Sequence, residues 1–195
     1  MSSRAFHRVT VIKGGPSAER EVSLASAAEV SKALRAQGYN VTDVDAGPDL
    51  VAELCKSKPD VVYNSLHGRW GEDGCVQGLL EWQQIPYTHS GVFASALAMD
   101  KEKSKDVFRA AGLPVMDSRL VPKKDVMAAH PMQPPYVIKP FNEGSSVGVY
   151  LVEEASEGTA KLSDDMPDLV MVEAFAPGRE LTTTVMGGRA LGVTD

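Results

Sequence analysis

Val9-Thr10-Val11-Ile12-Lys13-Gly14-Gly15-Pro16-Ser17-Ala18-Glu19-Arg20-Glu21 decides the architecture of the first half of this 195-residue chain. Its first five residues are rich in β-branched side chains, which favour a strand. Gly14-Gly15 end that strand, because glycine reaches turn conformations that other residues avoid. Beyond the loop, Leu24, Ala27, Val30 and Leu34 recur at spacings of three, three and four. That spacing is one face of a helix, and Gly38 stands where a C-terminal cap belongs. Working outward, residues 40–44 are strand-like, residues 49–55 form a short helix opened by Pro48, and residues 60–63 form a third strand. A polar loop over 67–74 leads to a helix at 76–82, and Pro86 opens a further extended run. The alternation predicts a parallel sheet with helices on its faces. An antiparallel α+β domain is the alternative.

Near Met99 the character changes. Residues 100–111 read as a charged helix with Val107, Phe108 and Ala111 as its buried edge, closed by Gly112. Strands punctuated by proline then dominate, at 115–121, 136–140 and 147–153. Residues 168–195 read as strands, with Gly187-Gly188 as a two-residue hairpin turn. A domain boundary is therefore expected near residue 98, giving domains 1–98 and 99–195, the second antiparallel and α+β. There are no internal repeats. The chain stops at Asp195, just after the second strand of that hairpin, and this predicts a fragment.

Apolar residues make up 43% and charged residues 24% of the chain, enough for a real core. The formal charge of −6 offers no basic excess for nucleic acid. No run of 18 apolar residues predicts a membrane span. Cys55 and Cys75 match neither a CxxC pair nor a zinc spacing, and read as free thiols suited to a reducing cytosol.

Pro135-Tyr136-Val137-Ile138-Lys139-Pro140, followed by Asn142-Glu143-Gly144-Ser145-Ser146-Val147-Gly148, places a buried strand, a lysine and a Gly/Ser loop in order. Successive N–H groups in such a loop form a concave anion site, and hydroxyls and an ammonium add donors for phosphate. No GxxxxGK[ST] or GxGxxG occurs, so the reading is a phosphate grip held between β-strands, against a plain Gly-rich hairpin. Lys101 opens a helix, where an ammonium opposes the dipole unless an anion binds there; a solvated surface lysine is the alternative. Glu173 and Glu180 flank an extended connector whose backbone can read an adenine edge while a carboxylate accepts from ribose; two solvated acids around a turn are the alternative. In the first half, Glu19 lies at the carboxyl end of a predicted parallel strand, where ligands bind, and a carboxylate there can hold an amino group. His67 follows the third strand and can orient a substrate. A helix-capping Glu19 and a packed His67 are the bland readings. Glu72 and Asp73 hint at metal without completing a ligand set.

These pieces together resemble the D-alanine–D-alanine ligases of the ATP-grasp superfamily. Residues 14–26, Gly14-Gly15-Pro16-Ser17-Ala18-Glu19-Arg20-Glu21-Val22-Ser23-Leu24-Ala25-Ser26, are similar to the family's first signature, and residues 67–81, which open His67-Gly68-Arg69-Trp70-Gly71-Glu72-Asp73-Gly74, to its second. Residues 90–105, 139–149 and 172–185 resemble the segment joining the first two domains, the central phosphate loop and the adenine–ribose segment. The resemblance implies an N-terminal parallel-sheet, Rossmann-like pre-ATP-grasp domain followed by a truncated α+β ATP-grasp domain. It implies ATP-dependent joining of two D-alanines through a D-alanyl phosphate, with ADP and phosphate released, for peptidoglycan synthesis in the cytoplasm. It also implies magnesium or manganese, and a homodimer formed through the N-terminal domain.

Residue by residue, the resemblance implies that Glu19 holds the amino group of the first D-alanine, with His67 beside it and Ser145 linked to Glu19 by a hydrogen bond. Lys101 and Lys139 are implied to bind the ATP phosphates, and the backbone of Ser146 and Val147 to cover them. Glu173 and the backbone of Ala174 and Ala176 are implied to read adenine, and Glu180 ribose. Two departures stand out: His89, where many relatives have glycine, and Ala174, where a charged residue is common. The family's third domain, with its metal ligands and oxyanion arginine, has no counterpart here. The expectation is therefore no metal ligand within the chain and no turnover by the chain alone. A non-catalytic nucleotide- or amino-acid-binding fragment is the alternative reading, as is a ligase taking D-lactate or D-serine as acceptor.

Overall fold

A computed structural model describes residues 6–144, 148–155 and 159–195. The chain gathers into two units, one of Met1–Val115 with Pro140–Gly148, the other of Met116–Lys139 with Val149–Asp195.

In the first unit, β1 (Arg8–Lys13) is the central strand of a three-stranded parallel sheet in the order β2-β1-β3, between β2 (Asn40–Asp45) and β3 (Val61–Asn64). The side chains of β1 face two ways. Val9 and Val11 pack with Ala27 of α1 (Arg20–Ala36). Ile12 packs with Leu54 of α2 (Leu50–Ser57), Val62, and Leu80 of α3 (Cys75–Trp82). Each fully buried aliphatic side chain of this kind contributes about 1.5–3 kcal/mol. Helices thus cover both faces of a parallel sheet, as the alternation predicts. The extended run after Pro86 is reduced to one parallel bridge, Val62 to Tyr87.

The apolar stripe of α1 is not the whole of its buried face. Ser23, Ala27 and Ser31 are the buried residues. Small side chains let the helix lie close to the sheet, and both hydroxyls are used. The Gly14 N–H donates to Ser23 Oγ (2.8 Å), which donates in turn to the Ser65 carbonyl (2.7 Å), so the loops after β1 and β3 are tied together. Ser31 donates to Asp43 on β2 (2.6 Å).

Two helices follow, α4 (Val92–Met99) and α5 (Lys101–Ala110). Sequence reasoning missed α4 because its residues are nearly all apolar or small, leaving no stripe to mark a period. The expected buried edge of α5 is corrected here. Val107 and Phe108 are 48% and 46% exposed, Ala111 is exposed, and the residue α5 buries is Lys105.

The second unit is antiparallel, as expected. β4 (Ser118–Pro122), β5 (Tyr136–Lys139), β6 (Tyr150–Val152) and β7 (Leu169–Ala174) pair in the order β4-β7-β5-β6. One face packs Tyr136, Ile138, Val170 and Val172 around Val126 of the short helix α6 (Lys123–Ala128). A separate hairpin pairs β8 (Thr182–Met186) with β9 (Arg189–Thr194) through Gly187-Gly188. Among the described residues no helix is long and apolar enough to cross a membrane.

Ser23 offers a direct test of the tie between the two loops. Ser23→Ala strands a buried N–H and a buried carbonyl, and should cost about 1–3 kcal/mol in urea denaturation. An unchanged unfolding midpoint would contradict the tie.

Candidate functional site

In a parallel sheet ordered 2-1-3, the chain leaves β1 for one side and later returns to the other. Ligands bind at such a reversal, outside the carboxyl ends of the strands. Here the loop after β1 carries Glu19 and the loop after β3 carries His67. Ser17 Oγ donates to the His67 carbonyl (2.8 Å), fastening one loop to the other.

The second loop is held from beneath. The side-chain amides of Asn64 and Gln77 both donate to the Gly71 carbonyl (2.8 Å each), and Asn64 Oδ1 accepts from the Leu66 N–H (3.1 Å). Gln77 Oε1 is buried without a partner among the described residues. At the loop's centre Glu72 accepts from the Gly68 N–H (2.8 Å) and lies 3.7 Å from His67 Nδ1. Asp73 accepts from the N–H groups of Trp70 and Cys75 and serves the turn. Among the described residues no group of three or more His, Cys, Asp or Glu side chains could hold a metal ion.

Beside these loops opens a cleft of about 670 Å³, a size ordinary for a small-molecule site. His67, Glu72, His89 and Lys101 line it, with Glu143 and Gly144. Lys101 is the first residue of α5, capped by Asp100, whose carboxylate accepts from the N–H groups of Glu102 and Lys103. Lys101 Nζ donates to the Glu143 carbonyl, and its N–H donates to the Phe141 carbonyl (2.9 Å), so α5 carries the 141–144 segment.

Glu19 adjoins the cleft, lodged between two glycines. A methyl group added at Gly68 would stand 2.4 Å from Glu19 Oε2, and one added at Gly144 would stand 2.6 Å away. Neither position has room for a side chain while Glu19 stays where it is. The Glu19 carboxyl is pushed up from the usual carboxylate range, first by burial and then by Glu72, with Glu143 adding to it and His67 opposing. Glu72 and Glu143 act on Glu19 against the opposing His67, and an ammonium placed beside Glu19 would pull its carboxyl back down.

The other predicted residues fall elsewhere. Ser145, Ser146 and Val147 lie outside the described residues. In the second unit, Lys139 on β5 and Glu173 on β7 share one sheet face and form a partly buried ion pair with each other. The Ala174 N–H donates to the Asp117 carbonyl (2.9 Å), and Ala176 and Glu180 lie in the exposed stretch between β7 and β8. Sequence reasoning named Glu19 and His67 but missed Glu143, Asn64 and Gln77. An acidic residue just before a Gly/Ser loop, and buried amides flanking a glycine-rich one, were the signals available.

The raised Glu19 carboxyl fixes a sign. The folded state holds that proton more tightly than the unfolded chain, so folding is weakened as pH rises through the window above the ordinary value of 4.5. Glu19→Gln removes this loss. It should unfold at higher urea than the parent at pH 7, with the gain vanishing as pH falls below the ordinary carboxylate range. A variant less stable at pH 7 than at pH 4, relative to the parent, would show that the sign is wrong.

Two family models match the chain: one described as D-ala D-ala ligase N-terminus over residues 45–90, and one described as D-ala D-ala ligase C-terminus over residues 107–195. A protein of Ruegeria sp. (strain TM1040) named D-alanine–D-alanine ligase is 66% identical over 194 residues, a match that takes in 100% of this chain and 63% of that protein. The crystal structure of D-alanine–D-alanine ligase from Bacillus anthracis superposes with a TM-score of 0.76 at 28% identity, over 96% of this chain and 63% of that one. The same enzyme complexed with ATP gives 0.74 at 27% identity, over 96% and 65%. The chain thus spans about 63% of the length of the curated relative. With two family models covering well over half of its residues, the chain belongs to the D-alanine–D-alanine ligase family.

Proposed function

We propose that the protein carrying this chain joins two D-alanines to D-alanyl-D-alanine for peptidoglycan synthesis in the cytoplasm, at the expense of ATP. The observation that carries the reading is Glu19, wedged between Gly68 and Gly144 and surrounded by Glu72, Glu143 and His67. A carboxylate raised by burial and by neighbouring carboxylates is stabilised by an arriving ammonium. Glu19 holds the ammonium of the first D-alanine, and His67 orients it. The D-alanine carboxylate then takes the terminal phosphoryl group of ATP. The amine of the second D-alanine attacks the acyl phosphate, and phosphate leaves. Such a transfer needs positioning and charge neutralisation more than covalent help from the protein.

In this reading residues 1–98 form the substrate-side domain and residues 99–195 belong to the ATP-grasp domain. Lys101 and Lys139 neutralise phosphate charge, and Ser145, Ser146 and Val147 belong to the loop over the phosphates. Glu173, with the backbone of Ala174 and Ala176, reads adenine, and Glu180 reads ribose. Lys139 and Glu173 already hold each other on one sheet face, so a nucleotide meets a donor and an acceptor fixed in advance. Magnesium or manganese, when bound, supplies further charge neutralisation at the phosphates. The described residues do not provide its ligand set. We also propose a homodimer formed through the N-terminal domain. The exposure of Trp82 (86%) and Phe93 (80%) on α3 and α4 supports an apolar contact there.

The reading is tested by ADP release on adding D-alanine to the protein as its complete coding sequence specifies it. Glu19→Gln should raise KM for D-alanine by about 10-fold or more, the worth of one charged hydrogen bond, while leaving KM for ATP nearly unchanged. Lys139→Ala should do the reverse. ADP release that ignores D-alanine, or two variants with the same defect, would contradict it.

A further inference from the structure

His89 is one of four residues other than glycine, with Lys58, Trp70 and Gln84, that take a positive φ among the described residues. Its φ is +75°, in the left-handed region that costs a side-chain-bearing residue about 1–2 kcal/mol. Glycine would sit there without that cost. Such an outlier persists where its surroundings over-determine it, and it points to function rather than following from it.

The surroundings of His89 are specific. Its Nε2 lies 2.9 Å from the Asn64 carbonyl oxygen. A carbonyl can only accept, so Nε2 carries the proton. The ring also stands edge-on to Tyr63, with centroids 5.5 Å apart and planes at 82°. Asn64 is pinned as well, through Gly71, Leu66 and Thr88. The imidazole is therefore held by a hydrogen bond on one side and an aromatic ring on another. It lines the same cleft as His67, Glu72 and Glu143.

We infer that His89 is a specificity-determining wall of this cleft, limiting how large a D-amino acid side chain the cleft admits. The inference rests on the ligase reading above. A fixed ring excludes a longer side chain by overlap, whereas glycine would leave the ring's volume open. Discrimination of this kind amounts to about 10–200-fold per methylene.

The test offers the protein, as its complete coding sequence specifies it, D-alanine and D-norvaline at equal concentration with ATP, and weighs the dipeptides by mass spectrometry. The parent should make D-alanyl-D-alanine with little norvaline incorporated. His89→Gly, which opens the wall, and His89→Asn, which tolerates the left-handed backbone with a shorter side chain, should each raise the norvaline-containing share by about 10-fold or more. Circular dichroism confirms that both fold. The parental ratio in both variants would overturn the inference while leaving the ligase reading intact. Folded variants that form no dipeptide at all would overturn it too, by placing His89 in the reaction rather than in selection. A parent that forms no dipeptide overturns the ligase reading, and the inference with it.

Discussion

The Glu19 carboxylate occupies the space that two missing side chains leave, at Gly68 and Gly144. The rest of the first unit can be understood as the means of keeping it there. Gly68 lies in the loop after β3, and Gly144 lies in a segment more than 120 residues from Glu19 in the chain. Three parts of the sequence must therefore meet with little tolerance. The atom each added methyl group would meet is the free end of the Glu19 side chain, so a side chain at either glycine would turn that carboxylate aside.

Hydrogen bonds, rather than apolar burial, provide that tolerance. Ser23 and Ser17 tie the first loop to the second, and Asn64 and Gln77 meet on the Gly71 carbonyl to hold the second loop's shape. Lys101 and the start of α5 carry the third segment. The apolar clusters on the two faces of β1 supply the rigid base. The polar ties then convert that base into a defined arrangement of charge. In a site built this way Ile12, Leu54 and Leu80 supply apolar burial, while a few serines and amides set the geometry and add stability through their buried hydrogen bonds.

Much of this was legible in the sequence, and the misses have physical causes. Val9 to Lys13, the spacing from Leu24 to Leu34 and the glycine loops all gave local signals, and the strand–helix rhythm followed from them. The buried Ser23 and Ser31 were not legible, because a serine on a helix reads as solvated until its partner carbonyl or carboxylate is known. The α4 helix escaped because a uniformly apolar or small segment has no period. Phe108 misled because a lone aromatic on a charged helix looks like a core anchor, yet in the fold it is 46% exposed. Glu19 and His67 were found as members of strand-end loops. The environment that makes Glu19 unusual depends on its burial, on Glu72 and Glu143, and on two glycines distant in sequence, which no local pattern can show.

Whether Glu19 is held ready for an ammonium is decided by its own ionisation, followed by NMR of the 13C-labelled carboxyl against pH with and without D-alanine. The midpoint should lie above the ordinary glutamate value in the free protein and fall clearly when D-alanine binds, as its ammonium compensates the surrounding carboxylates. A midpoint that begins at the ordinary value, or that does not move when D-alanine is added to saturation, would show that Glu19 is not so held.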